Sequence, residues 1–208
     1  MRNGNKKSIL LHFTLAFVLL ASVTSCGNEI SEYRGERLDS YDRAYDNSIA
    51  GPQTIDRGKY RLEVTGSVET PLSLTYDEVI SLPWYERVIT LHCVEGWDET
   101  LLFTGVRLAD VFEPAKPKDS VRTVIFYAAD GYSSSLPYDF VVKKDILLAF
   151  KINGRDLDER RGFPFQVVAE SKYGYKWVKW VTKVELIEGE YRGYWERRGY
   201  SNDADIKE

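Results

Sequence analysis

The chain has few of the residues that build disulfide frameworks and multi-ligand metal centres. Its 208 residues include two cysteines and two histidines. Two cysteines cannot staple a small scaffold, and a usual zinc site needs three or four Cys, His or carboxylate ligands. No apolar run reaches the 18 or so residues of a membrane span. Cations are also short, with Lys plus Arg at 28 against Asp plus Glu at 32, a net charge of −4. Residues 1–25 hold three of those cations and no acid, leaving 25 against 32, or −7, for the rest. An acidic chain without a basic stripe excludes nucleic-acid binding. What is present is core material: 43% hydrophobic residues, with 14 Tyr, 9 Phe and 5 Trp, which excludes global disorder. The length suits one ordinary domain, or at most two small ones.

The first 25 residues read as an export signal. Arg2, Lys6 and Lys7 form a charged start, and 9–23 is apolar but interrupted by His12 and Thr14. The run ends in Val23-Thr24-Ser25-Cys26, which resembles the lipobox of bacterial lipoproteins. That resemblance implies a diacylated Cys26 as the new amino terminus. The domain is then exported and lipid-anchored to a bacterial membrane, on the periplasmic or cell-surface side, touching it only through the anchor. An ordinary signal peptide cut beside a cysteine is the alternative. Residues 26–56 are polar and suit a solvated tether, with Tyr33, Tyr41 and Tyr45 available to pack its last part. A domain over 57–202 follows, with Tyr191, Tyr194 and Trp195 packing back and a polar tail, 203–208, that frays.

If Cys26 is acylated, Cys93 has no thiol partner, a liability outside a reducing cytoplasm. It lies in the run Arg87-Val88-Ile89-Thr90-Leu91-His92-Cys93-Val94-Glu95-Gly96-Trp97. A Cys–His nucleophile is disfavoured, because neighbours on a strand point to opposite faces and His92 is the one histidine beyond the leader. A buried structural cysteine and a thiolate ligand for a soft metal both remain open.

Hydrophobic rhythm places strands at 59–66, 86–94, 121–128, 146–152, 164–169 and 178–188. Asn153-Gly154 between apolar runs signals a hairpin. Thr75-Tyr76-Asp77-Glu78 fits a capping box for a short helix over 76–82, stopped by Pro83. A second short helix is expected over 107–112. The fold class is α+β and β-rich, a single domain with few short helices.

LHCVEGWDETLLFTGVRLADVF resembles the segment around the metal-ligating cysteine of sulfite-oxidase-type molybdopterin oxidoreductases. It is most similar to the branch holding the periplasmic methionine sulfoxide reductase catalytic subunit. RLEVTGSVETPLSLTYDEVISLP, DGYSSSLPYD, DILLAFKINGRDL and RGFPFQVVAESKYGYKWVKWVTKVELIEGEYRGYWERRGYS match in the family's order, over residues 46 to 202. The resemblance implies a molybdenum-molybdopterin cofactor with Cys93 as a metal ligand. It implies a phosphate-holding turn at Lys176-Trp177-Val178-Lys179, with Lys172 and Tyr173 in the same loop; the other reading is a surface strand with outward lysines. Asn47 is implied beside the cofactor, although Asn in such a linker also caps turns. Ser133, Ser134 and Ser135 are either hydroxyl donors to the cofactor or a plain turn. Gln166 stands where the family often has Arg, Arg161 where it has Asn, and the leader lacks an Arg-Arg pair. Glu95, Asp98 and Glu99 occupy the space where sulfite oxidases place arginines, which disfavours sulfite. The implied function is oxygen-atom transfer on a small-molecule substrate, with S-oxide reduction as the first expectation. The implied electron partner is a haem or quinone-linked membrane protein, since no Cys-x-x-Cys-His motif occurs here. The rival is a cofactor-free binding or assembly lipoprotein on the same fold.

Overall fold

A computed structural model describes residues 29–207; the expected export signal and the expected acylation site, Cys26, lie outside the described residues. A two-stranded hairpin, β1 (Glu32–Tyr33) and β2 (Glu36–Arg37), comes first. β3 (Leu62–Gly66), β4 (Leu72–Leu74) and α1 (Tyr76–Ile80) follow, then the long hairpin β5 (Trp84–His92) and β6 (Asp98–Arg107). α2 (Leu108–Phe112), β7 (Thr123–Ala128), β8 (Ser133–Pro137) and α3 (Tyr138–Lys143) come next. β9 (Leu147–Ile152), β10 (Arg155–Asp156), β11 (Gln166–Val168) and β12 (Val181–Ile187) complete the strands of the described residues.

One sheet runs β10-β9-β6-β5, with β11 also on β9; the other runs β4-β3-β12-β7-β8. In the second sheet β12 pairs parallel with β3 and antiparallel with β7. One hydrophobic cluster joins Phe103, Val106 and Leu148 of the first sheet to Val64, Phe126 and Val184 of the second. Layers of this kind bury sheet faces against the other elements, and β6 and β9 at the middle of the first sheet are buried on both sides.

The capping box forms as expected: Thr75 Oγ1 accepts from Glu78 N at 3.1 Å and Glu78 Oε2 accepts from Thr75 N at 2.7 Å. Asn153 and Gly154 both adopt positive φ, at 50° and 78°, in a two-residue turn between β9 and β10. β12 starts at Val181 and not at 178, because Trp180 sits at φ 51° and a bulge follows Val181. The bulge lets Val181 face inward together with Val184 and Leu186.

β6 was not expected. It is buried along most of its length, so no alternation marks it. Its Gly105 also runs so close to β9 that a Cβ there would lie 2.6 Å from the Leu148 carbonyl oxygen. β8 read as a turn because three serines have little strand preference; pairing with β7 decides it.

Both ends pack more closely than a solvated tether and a fraying tail would. Leu38 and Tyr41 are buried, and Asp39 N donates to Thr100 O at 2.8 Å. The buried amide of Asn153 donates to Asp39 O at 2.8 Å and accepts from Leu102 N at 3.0 Å. At the other end Ala204 is buried, Tyr173 N donates to Ala204 O at 2.9 Å, and Lys172 pairs with Asp205. Satisfied backbone groups, rather than composition, hold these segments down.

Candidate active site

The β5–β6 hairpin ends in a tight turn, with Cys93 N donating to Trp97 O at 2.9 Å and Gly96 at φ 85°. β5 ends at His92, so Cys93 is the first residue of the turn and its thiol is free to face a cavity of about 320 Å³. The 45–48 segment, the floor of β6, the 174–180 loop and the carboxy-terminal strap with Trp195 and Tyr200 form the other walls.

Cys93 is half-buried on that cavity, not enclosed among aliphatic side chains, so a purely structural role does not fit its position. Burial pushes its thiol pKa up, and the nearby carboxylates of Glu95 and Asp98 add to the shift. Without a cation the sulfur therefore keeps its proton. His92 is not placed to remove it: it does not line the cavity, and its Nδ1 is turned to Asp98 Oδ1 at 2.7 Å. A thiol of this kind is a poor nucleophile and becomes a thiolate when a metal replaces the proton. Asn47 Nδ2 donates to Cys93 Sγ at 3.7 Å and to Glu95 Oε2 at 3.0 Å, which orients the turn from the amino-terminal side. Tyr45 stacks on Trp97 at 4.1 Å between centroids and covers the same corner.

The four residues expected to cradle phosphate separate. Lys179 lines the cavity, and its Nζ donates only to carbonyls, Tyr45 O at 3.2 Å and Arg160 O at 2.9 Å. It has no carboxylate within ion-pair distance among the described residues. Burial, with the nearby Arg161 charge, pushes its pKa down to about 8. By surface area it is only partly buried; its residual exposure opens on the cavity, and the protein around the ammonium accounts for the desolvation. Trp177 lines the cavity too, its Nε1 donating to Lys172 O at 2.9 Å. Val178 is buried in the core. Lys176 is fully buried and does not line the cavity: its Nζ meets Glu196 Oε1 at 2.6 Å and Ser135 O at 3.0 Å. Ser134, expected beside the cofactor, likewise donates to Glu196 Oε1 at 2.5 Å. Both expectations are corrected by the same carboxylate, which lies twenty residues beyond the lysine and captures it.

Arg161 does not replace the family's Asn as a cavity hydrogen-bonder. Its Nη1 and Nη2 grip both oxygens of Glu99 at 2.8 Å, and its Nε donates to Tyr41 O at 2.8 Å. The pair is buried, so Glu99 is neutralised; of the other acids beside Cys93, Glu95 accepts from Asn47 and Asp98 is bound to His92. Gln166 lies on the cavity wall and is almost fully buried. Replacing Arg161 with Met strands a buried carboxylate and is expected to cost about 3–5 kcal/mol. A thermal melt reads that loss, and Glu99→Gln/Arg161→Met is expected to recover most of it.

Sequence reasoning missed Ser48. Its Oγ is buried on the cavity wall beside the Asp46 carboxylate, whose pKa it lowers, without reaching a properly directed hydrogen bond. Nothing in a lone serine of a polar segment signals this. An orphaned hydroxyl, an ammonium without a counter-ion and a half-buried thiol thus face one cavity. Only the hydroxyl is without a hydrogen-bond partner; the ammonium has two carbonyls but no carboxylate in ion-pair reach, and the thiol has only the long Asn47 contact. A phosphate-bearing organic group that carries a soft metal suits all three, so the residues present fit such a cofactor.

A strand-rich α+β domain that sets a thiol and an ammonium on a common cavity suits a cofactor-binding domain. Residues 49–195 match the oxidoreductase molybdopterin binding domain, and the chain belongs to that family. It is a molybdopterin-binding oxidoreductase domain. An uncharacterized oxidoreductase, YuiH, of Bacillus subtilis is 34% identical over 74% of this chain and 78% of its own length. A putative protein-methionine-sulfoxide reductase subunit, YedZ1, of Azospira oryzae is 30% identical over 71% of this chain and 56% of its own. The protein-methionine-sulfoxide reductase catalytic subunit MsrP of Campylobacter jejuni is 26% identical over 72% and 56%. The chain thus spans just over half the length of these sulfoxide reductase relatives. Among solved structures, the sulfane dehydrogenase SoxCD of Paracoccus pantotrophus shares the fold, with a TM-score of 0.64 at 24% identity. That match covers 67% of this chain and 41% of the other.

Proposed function

We propose that this domain is an exported molybdenum-molybdopterin oxidoreductase that reduces a small neutral S-oxide, anchored to a membrane through an acylated Cys26. The observation that carries the reading is the convergence of Cys93 and the unpaired Lys179 on one cavity. When bound, the cofactor supplies two-electron oxygen-atom transfer. The chain's own part is to hold and shape. Cys93 Sγ would ligate the metal, Lys179 and Ser48 would hold the phosphate, and Asn47 fixes the turn that bears the cysteine. The stacked Tyr45 and Trp97 keep water from the corner beside the sulfur. One turnover converts an S-oxide, two electrons and two protons to a thioether and one water. A haem or quinone-linked membrane protein supplies the electrons in this reading.

Charge supports a neutral substrate. Glu95 and Asp98 stand by Cys93, Arg161 is committed to Glu99, and Lys179 is committed to phosphate once the cofactor is in place. An oxyanion then finds no free cation beside the metal ligand. Protein matured in a host that makes the cofactor is expected to reduce methionine sulfoxide or dimethyl sulfoxide with reduced methyl viologen, and to leave sulfite unoxidised. Sulfite turnover equal to sulfoxide turnover contradicts the reading, as does metal-replete protein inert to every sulfoxide.

A further inference from the structure

We propose that the outward face of residues 191–198 is the docking surface for an acidic carrier protein that brings electrons one at a time from the membrane partner. The inference takes the direction of electron flow from the S-oxide reading. Its basis is a charge separation visible only in the folded chain. The stretch YRGYWERRGY contains three arginines and one acid; of the exposed acids that flank it, Glu188 is held by Ser120, and Glu190 and Asp203 make no ion pair with the arginines among the described residues. The acid, Glu196, is turned inward, 1% exposed, and neutralised by the fully buried Lys176. Arg192, Arg197 and Arg198 are left exposed, with no carboxylate in ion-pair reach among the described residues.

These arginines are held, not loose. The Arg198 guanidinium lies 3.5 Å from the Tyr194 ring centroid and its Nη1 donates to Tyr194 O at 2.8 Å. Arg197 Nη1 donates to Arg192 O at 2.6 Å. The strap beneath them is fixed to the edge strand β8: Tyr194 N donates to Ser133 O at 2.8 Å and Ser135 Oγ to Tyr191 O at 2.9 Å. Gly193 approaches so closely that a Cβ would lie 2.1 Å from Ser133 O. Trp195, in the same strap, walls the cavity that Cys93 faces, so the arginines and the cavity share one segment of chain.

A positive patch on an otherwise acidic chain steers and orients a negatively charged partner. Redox encounters use small, transient contacts, and three ordered guanidinium groups suit one. An anionic lipid surface is the weaker occupant. Three cations contribute about 1 kcal/mol each there, and the half-exposed Tyr200 is the one large apolar side chain of the strap open enough to insert. A membrane over this face would also cover the aromatic wall of the cavity.

The test uses the cofactor-loaded protein and its Arg192→Glu/Arg197→Glu variant, which leaves Arg198 on Tyr194. The rate of cofactor reduction by reduced flavodoxin, an acidic flavin protein, is followed from about 20 to 200 mM salt without S-oxide present. Methyl viologen, a small donor that needs no docking face, serves as control. The wild-type rate with flavodoxin is expected to fall steeply with salt. The variant is expected to be at least about tenfold slower at low salt and nearly salt-independent, with viologen reduction within about twofold of wild type. An unchanged flavodoxin rate overturns the proposal, and so does an equal fall with viologen. Loss of binding to phosphatidylglycerol vesicles with an unchanged flavodoxin rate overturns it in favour of a lipid surface. Because reduction is read without substrate, a failed S-oxide assay of the wild type refutes the substrate reading and leaves this result standing.

Discussion

Cys93→Ser is expected to leave a folded protein whose S-oxide reduction falls by at least roughly 100-fold, the loss that even supporting residues of a metal site typically cause. The sulfur is half-buried at the head of a turn whose backbone bonds do not involve the side chain, so the substitution removes a ligand and little packing. A hydroxyl is a harder and much less acidic donor, and a soft metal loses its one protein thiolate. Folding is checked by circular dichroism and by an unchanged melting temperature of the cofactor-free protein. Retention of full activity by a metal-loaded Cys93→Ser protein contradicts the assignment of this residue. A collapse of the melting temperature would instead make Cys93 a packing residue.

Lys179→Met is expected to act with opposite signs on the empty and the loaded protein. The folded-state pKa of Lys179 is lowered to about 8 from 10.5. Between those values the unfolded chain binds more protons than the folded one, so the stability of the cofactor-free protein rises with pH across the window. Below about 8 the lysine is charged in both states, and its desolvation weighs fully against folding. At two and a half pKa units this cost is about 3 kcal/mol before discounting for partial exposure. Methionine removes it but forfeits hydrogen bonds to the carbonyls of Tyr45 and Arg160, for a net gain of about 1–2 kcal/mol. That gain disappears above about pH 10.5, where the wild-type lysine is itself neutral in both states. In the loaded protein the same change removes a charge-assisted bond to phosphate, weakening cofactor retention by roughly 10- to 100-fold. Dialysis of loaded protein followed by pterin analysis reads the second effect, and paired melts at pH 7 read the first. A destabilised empty variant would mean that the ammonium serves the fold and not a ligand.

The contrast between Lys176 and Lys179 marks the limit of what the chain discloses before folding. Both stand in one short cationic turn, and either could cradle phosphate. The partner that separates them, Glu196, comes from the carboxy-terminal strap and binds Lys176 and Ser134 together. Local pattern cannot register a contact across twenty residues and two elements. The lone Cys93 left a structural thiol and a metal ligand both open, and only the resemblance of the words around it pointed to a cofactor; the structure sets that thiol on a cavity. The Asn153-Gly154 turn and the Thr75 cap were legible because their geometry is set by neighbouring residues alone. β6 was hidden by its burial, since a strand covered on both sides loses the two-residue rhythm. Arg161 looked like a defect in the cofactor site and is a clamp on Glu99 and Tyr41, a role that needed coordinates to see.

The central claim is that the Cys93 cavity holds molybdenum on a pterin. Elemental and pterin analysis of the wild-type chain, purified from a host that makes the cofactor, tests it most directly. The account predicts stoichiometric molybdenum and pterin in the wild type, with the metal lost from Cys93→Ala. Folded wild-type protein free of both, from a host whose other molybdenum enzymes are loaded, would contradict it.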